Sequence, residues 1–387
     1  MRRVYFDNNA TTPVLPDVFE AMRPYFTEQF GNASSIHQDG QQARAAVERA
    51  RQSVALLLGA RASEIVFTSG GTEGDNVALF GLVQAGDHII TSTIEHEAVL
   101  NSCKRLEKLG CEVTYIPVDG EGRIGPEDIR RALKPNTKII SVMMANNETG
   151  VLQPLAEIRK IAAEADVFFH TDAVQAAGKV PIDVNTIGCD LLSISGHKLH
   201  APKGVGALYV RKGTLVQPLF YGGKHERSRR AGTENVPGIV GLGKAAEIAC
   251  EGFANGAVDR IRSMRDRIET TVISSIEATA VNGGGGERVP NTTNIAFDYI
   301  EGEALVISLD LKGVAISTGA ACSSGATEPS HVLTAMGLPP ERARGSMRLS
   351  LGKQNTEQEV EYVLSVLPEV LTRLRELSPV YASAHKA

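Results

Sequence analysis

Apolar residues recur along the first two-thirds of the chain in short solid runs, and between those runs at helical spacing. Residues 38–58 put Ala43, Ala46, Val47, Ala50, Val54, Leu57 and Leu58 three or four apart, which predicts an amphipathic helix. The run 65–68 (IVFT) predicts a strand that ends in a glycine turn. Further runs at 88–93, 113–118, 139–145, 167–171, 189–194 and 207–210 predict strands, and patterns such as Leu155, Ile158, Ala162 and Ala165 predict helices between them. Strands without polar alternation that take turns with helices imply an α/β fold. Its sheet is expected to be mainly parallel and covered on both faces. This block spans residues 15–255.

The pattern changes over residues 253–283. A long charged helix (VDRIRSMRDRIETTVISSI) leads to the glycine run Gly283–Gly286, and strands follow near 293–298, 314–317 and 347–351. Thr356 and Glu359 are spaced as a capping box. The helix they open carries Val360, Val363, Leu364, Leu367, Leu371 and Leu374 on one face, with a kink expected at Pro368. Residues 256–387 are therefore expected to form a smaller α+β domain, with residues 1–14 packing on it.

Composition narrows the class. A chain of 387 residues is too long for one small core, which agrees with two domains. A net charge of −5 counts against direct nucleic-acid binding. No apolar run approaches a membrane span, and MRRVYFDNNATTP lacks the apolar core of a secretory signal, so a cytoplasmic location is expected. The five cysteines form no CxxC pair, and His197 and His200 alone are too few to hold a metal.

The candidate chemistry lies at strand ends. Thr72, His96, Asn147, Asp172 and Lys198 all fall at or just past predicted strands, where α/β sheets bind ligands. Lys198, in SGHKLHAPKG, is placed to form a Schiff base with a carbonyl compound, although a lone lysine there also reads as a surface residue. The glycines of SGGTEGDN let backbone N–H groups and the Thr72 hydroxyl approach a phosphate; the plainer reading is a glycine turn. Asp172, in HTDAVQ, can pair with a protonated ring nitrogen, or simply cap a helix, and Gln175 lies three residues on. His96 can stack on a flat ring or move a proton, or cap a helix, and Asn147 in NNETG can equally be a turn residue. Cys322, in ISTGAACSSGATEPSH, sits among glycines and serines that favour a mobile, accessible thiol. The reading of a cysteine as a small buried hydrophobe fits Cys189 and Cys250 better. Arg348, in SMRLSLG, can hold a carboxylate through two parallel hydrogen bonds, or be an edge-strand charge. The basic stretch 222–235 is an alternative anion or partner site.

Taken in order, YFDNNATTP, FGNASSIH, TSGGTEGDN, NNETG, TDAVQ, SGHKLHAPKG, RRAGTEN, the Cys322 segment and RLSLG resemble one family nearly end to end. They are similar to the NifS/IscS-type cysteine desulfurases of the class V pyridoxal-phosphate-dependent aminotransferases. These have an aspartate-aminotransferase-like fold (fold type I). The resemblance implies pyridoxal 5′-phosphate as cofactor and a role for each motif residue. Lys198 would carry the cofactor, Asp172 would pair with its ring nitrogen, and Gln175 and Asn147 would serve its hydroxyl side. His96 would stack on the ring and act in catalysis, and Gly71, Thr72, Ser195 and His197 would hold the phosphate. Thr233 would reach the phosphate from a second subunit, implying a homodimer. Arg348 would bind the L-cysteine carboxylate, with Asn32 and His37 near the entrance, and Cys322 would take the sulfur as a persulfide. L-alanine would leave, and the sulfur would pass to an iron–sulfur scaffold or another acceptor protein. A selenocysteine lyase, a class V aminotransferase on the same fold, or a non-catalytic binding protein are the alternatives. Ala201 and Lys224 depart from the family pattern, where glycine is usual. The long segment from Cys322 to Arg348 resembles the subgroup whose cysteine rides a flexible loop.

Overall fold

The computed structural model describes residues 3–318 and 329–384. Among these the strands are, in chain order, β1 (Val4–Tyr5), β2 (Ile65–Thr68), β3 (His88–Ser92), β4 (Glu112–Ile116), β5 (Thr137–Ser141), β6 (Phe168–Asp172), β7 (Leu191–Ser195), β8 (Gly206–Val210), β9 (Thr279–Val281), β10 (Thr292–Phe297), β11 (Val314–Ala315) and β12 (Ser346–Ser350). Seven of them form one sheet in the order β2-β8-β7-β6-β5-β3-β4. The five strands from β4 to β7 run parallel, and β8 lies antiparallel between β7 and β2. The sheet is thus mainly parallel, with one reversed strand near its edge.

Neighbouring residues of a strand enter different cores, as the pleat requires. Ile90 and Ile140 pack with Phe169, Leu192 and Tyr209 beneath the helix Gln38–Leu58. Ile89 and Ile139 pack on the other face with Leu79, Val99 and Cys103. Burial on both faces explains why these strands read as solid apolar runs. The helix Gln38–Leu58 also packs against Val236–Ala254. A Cβ on Gly243 would stand 2.6 Å from the Ala50 Cα, so only glycine allows that approach.

A second apolar core holds Ile268, Ile295, Leu309, Leu349, Val363 and Leu367, together with Val4 and Phe6. It is built on the antiparallel sheet β12-β10-β9 and on the parallel pair of β1 with β11. The Thr356–Glu359 capping box is formed, and the helix Glu357–Glu376 continues through Pro368. Residues near the start of the chain therefore contribute to the core of its last third. From there the segment after β1 crosses to the seven-stranded sheet: Asn8 N donates to Ser350 O at 3.1 Å, and Thr12 N to His197 O at 2.9 Å. No helix among the described residues is long and apolar enough to cross a membrane.

Candidate active site

Strand register gathers the site. Ser141 on β5 lies beside Thr91 on β3 and His170 on β6, and Asp172 lies beside Ser193 on β7. The carboxyl ends of these parallel strands therefore share one edge. Lys198 closes a single turn, Gly196–Lys198, directly after β7. Its Nζ donates to Ala10 O at 2.8 Å and to Asn9 O. His96 is the N-cap of the helix Glu97–Glu107, and its Nδ1 accepts the Ala98 N–H at 3.1 Å. With Nδ1 occupied as an acceptor, Nε2 carries the proton of the neutral ring. The capping reading and the functional one are thus compatible.

Asp172 is buried, and its Oδ1 accepts the Val174 N–H at 2.8 Å. Burial raises its carboxyl above the usual range, while the nearby His96 ring and Lys198 amine oppose that rise. These three side chains therefore sense one another electrostatically. Behind them lies a buried acidic floor. Glu95 is pushed up to about 8 by burial, despite hydrogen bonds from Ser92 and from the Met143 N–H. Asp75 is raised by burial and by Asp172. His170, bonded to Ser141 at 2.9 Å and Ser193 at 3.1 Å, is held neutral, with burial lowering it to about 3.

On the phosphate side, the helix Gly71–Phe80 begins at the glycine turn. A Cβ on Gly71 would stand 2.5 Å from Val174 Cγ2, so the loop nests against the turn that follows Asp172. Thr72 is exposed in the first helical turn and lines a cleft with His96, Asn76, Asn101 and Arg105. Ser195 is buried at the end of β7, and His197 Nδ1 lies 3.2 Å from Thr11 Oγ1. Burial lowers the His197 imidazole to about 4, assisted by the nearby Lys198 charge.

Arg348 lies on β12 opposite Asn294 and is only 3% exposed, which excludes a solubility charge. Its Nη2 meets Asp7 Oδ1 at 2.8 Å and its Nη1 donates to Asn147 O at 3.1 Å. Its Nε and the Asn147 Oδ1 are buried without a hydrogen-bond partner among the described residues. Ser330 Oγ donates to Glu148 Oε2 at 2.5 Å, and His331 Nε2 lies 3.1 Å from Glu95 O, which fixes residues 330–331 to the loops after β5 and β3. Cys322 lies outside the described residues.

Other expected residues stand apart. Asn32 Oδ1 accepts the Ser34 N–H at 2.9 Å, and His37 Nδ1 accepts the Gly40 N–H at 3.3 Å; both residues are exposed and serve local turns. Thr233 is exposed, and its hydroxyl makes no hydrogen bond among the described residues of the site. Gln175 gives its amide to others: Nε2 donates to Asn9 O at 3.0 Å and Oε1 accepts from Lys179 Nζ at 2.7 Å. Cys103 and Cys189 are buried and their thiols are pushed up to about 12, whereas Cys250 is half-buried rather than buried.

Asp7, Asn9, Lys179 and the acidic floor were not singled out from sequence. The one available signal was spacing, since Asp172, Gln175 and Lys179 fall three and four residues apart in one segment. The donor set suits a phosphorylated aromatic aldehyde. An amine stands near a buried carboxylate with no cation directly bonded to it among the described residues, and a helix start lies beside them. The orphaned Arg348 Nε and Asn147 Oδ1 are available to a polar ligand in the same place.

Comparison with known proteins agrees with this chemistry. Residues 4–363 match the family "Aminotransferase class-V". The chain is 50% identical to the cysteine desulfurase IscS of Dictyoglomus turgidum over 98% of this chain and 97% of that one. It is 52% identical to the cysteine desulfurase IscS of Methanosarcina thermophila over 98% of this chain and 94% of that one. Among solved structures it resembles a NifS-like protein with a TM-score of 0.89 at 38% identity, covering 96% of this chain and 100% of the other. It also resembles SspA in complex with cysteine, with a TM-score of 0.80 at 38% identity over 91% of this chain and 100% of that one.

Proposed function

The chain belongs to the class-V aminotransferase family and is a pyridoxal 5′-phosphate-dependent cysteine desulfurase, and we propose that the residues at the carboxyl edge of its large sheet divide the reaction among them. The enzyme converts L-cysteine to L-alanine and keeps the sulfur as a cysteine persulfide. Lys198 would hold the cofactor by its amine, Asp172 would serve the ring nitrogen, and His96 would serve the ring face. Asn147 and Gln175 would serve its hydroxyl side, and Gly71, Thr72, Ser195 and His197 would serve its phosphate. When bound, the cofactor draws electrons away from the substrate Cα. The observation that carries this reading is the buried Asp172 carboxylate, which has a backbone donor but no bonded cation among the described residues, within electrostatic reach of Lys198 and His96.

Arg348 grips the substrate carboxylate, and its unpaired Nε is the donor that supports this role. The Lys198 amine, when free, would move the Cα proton. The Cys322 thiolate attacks the substrate sulfur. A sulfur–sulfur bond forms and the carbon–sulfur bond breaks, with its electron pair and a proton ending on Cβ. The persulfide sulfur then passes to an acceptor, an iron–sulfur scaffold or another sulfur-carrying protein, in the cytoplasm. Asn32 and His37 belong to the entrance side of this path.

A second copy of the chain completes the site by offering Thr233. Exposure of Thr233 together with Leu215 (85%) and Tyr221 (84%) nearby in sequence supports a partner on this face. The test is to incubate the purified enzyme with L-cysteine and reductant and to measure alanine and sulfide together. Equal yields are expected; transfer of nitrogen to a keto acid would indicate an aminotransferase, and strong preference for selenocysteine a lyase. Cys322→Ala should keep the coloured cofactor and lose sulfide release, whereas undiminished release removes Cys322 from the mechanism.

A further inference from the structure

Asn9 is 1% exposed, and every polar atom it owns is engaged. Its N–H donates to Ser350 Oγ at 2.8 Å, and its Nδ2 donates to Asn147 O at 3.1 Å and Thr292 Oγ1 at 2.9 Å. Its Oδ1 accepts from Lys179 Nζ at 3.0 Å and from Asn291 Nδ2 at 3.1 Å. Its main-chain carbonyl accepts from Gln175 and from the Lys198 amine, which also reaches Ala10 O. One asparagine thus joins the lysine to the loop that receives Arg348 and to the strands of the smaller sheet.

Lys179 is an unusual choice for this place. Its two acceptors among the described residues are the neutral amide oxygens of Asn9 and Gln175, and neither supplies a counter-charge. Burial, with repulsion from Lys198 and Arg348, holds its amine well below the ordinary lysine range. Two amide oxygens lie in place to receive its N–H donors. Without those donors both oxygens would lose a partner inside the protein, a loss that shifts the groups carrying them.

We infer that Lys179 is a positioning residue for Lys198: its amine locks Asn9 and Gln175, and the locked Asn9 carbonyl holds the Lys198 amine within reach of its reaction partners. The inference rests on the reading of Lys198 as the cofactor-bearing lysine. That lysine has to leave the cofactor and recapture it in every turnover. Recapture competes with any other amine present, and a fixed amine wins through its high effective concentration.

The test uses the holoenzyme with Lys179→Met, which keeps length and removes both donors, and with Asn9→Ala, which keeps the carbonyl and removes its anchor. Cofactor is stripped with a fixed concentration of hydroxylamine and followed by absorbance. Stripping about tenfold faster in each variant is expected, and no faster still in the double variant, because the two residues act as one unit. The kcat for cysteine should fall with KM within about twofold, since the carboxylate grip is elsewhere. Stripping at the wild-type rate in either folded variant overturns the inference, and Asn9→Ala decides alone if Lys179→Met does not fold. Borohydride trapping of the cofactor on a different lysine would instead overturn the reading of Lys198, so the two failures are distinguishable.

Discussion

Arg51 and Arg348 are both buried, and each faces a carboxylate. Arg51 meets Glu226 through two parallel bonds of 2.7 and 2.8 Å, donates to Ile65 O at 3.0 Å, and gives its Nε to Glu48 at 3.2 Å. Glu226 in turn accepts the Phe67 N–H at 2.9 Å. Arg348 has a single contact with Asp7, one with a carbonyl, and an Nε without a partner. The first pair is saturated, and it fastens a loop whose Glu226, Arg227 and Ser228 all have positive φ (45°, 57° and 64°), a conformation non-glycine residues rarely hold unaided. The second is left incomplete. A buried charge whose valences are all filled serves the fold, and one with a valence open is ready for a ligand.

This contrast can be broken by four substitutions. Arg51→Met should do most harm to stability, about 3–5 kcal/mol by urea unfolding, because Glu226 is left buried without its cation, while KM for cysteine stays put. A stable Arg51→Met enzyme would show that saturation is not what matters. Glu95→Gln extends the comparison to a carboxylate with no cation, and its effect is a change in pH slope. The folded form keeps a proton on Glu95 that the unfolded form loses, from the ordinary value of 4.5 up to about 8. Wild-type stability should therefore decline as pH rises through that window, and the glutamine variant should be flatter. Identical slopes would mean that Glu95 is ionised when folded.

Arg348→Ala should raise KM for cysteine roughly 10–100-fold, the worth of a hydrogen bond to a charged group, with a smaller loss of stability than at Arg51. A large stability loss with KM unmoved would make Arg348 a second Arg51. Asp7→Asn should have the mildest effect: it weakens the carboxylate that, among the described residues, is bonded to Arg348 and would compete with substrate for it, so KM should fall about threefold, the worth of one ordinary hydrogen bond. A higher KM would mean that Asp7 orients Arg348 rather than competing for it.

Much of this was legible beforehand for physical reasons. The strands of the large sheet were readable because burial on both faces makes their apolar runs solid, and β2 begins and ends where IVFT does. A run carries no mark of direction, so the antiparallel placement of β8 was not readable. The three-residue β9 is only half-buried and gives no periodic signal. The edge residues from Thr72 to Lys198 were visible because each follows a strand. Asn9, Lys179 and Glu95 were not, because a buried polar residue with full partners looks in sequence like any loop residue. Arg348 was readable as a candidate, but its burial, which decides against a surface charge, follows from packing against residues 7 and 147 far along the chain.

The pairing of Val4 with Val314 and of Tyr5 with Ala315 ties together segments made at opposite times on the ribosome. The large sheet has all its strands once β8 has emerged, yet Asn9 is anchored through Ser350 and Thr292, which appear far later. A nascent or prematurely terminated chain would thus display Lys198 on a nearly finished sheet without the strap that restrains it. Only translation of the last third renders the site competent, a timing that withholds sulfur chemistry from incomplete polypeptides.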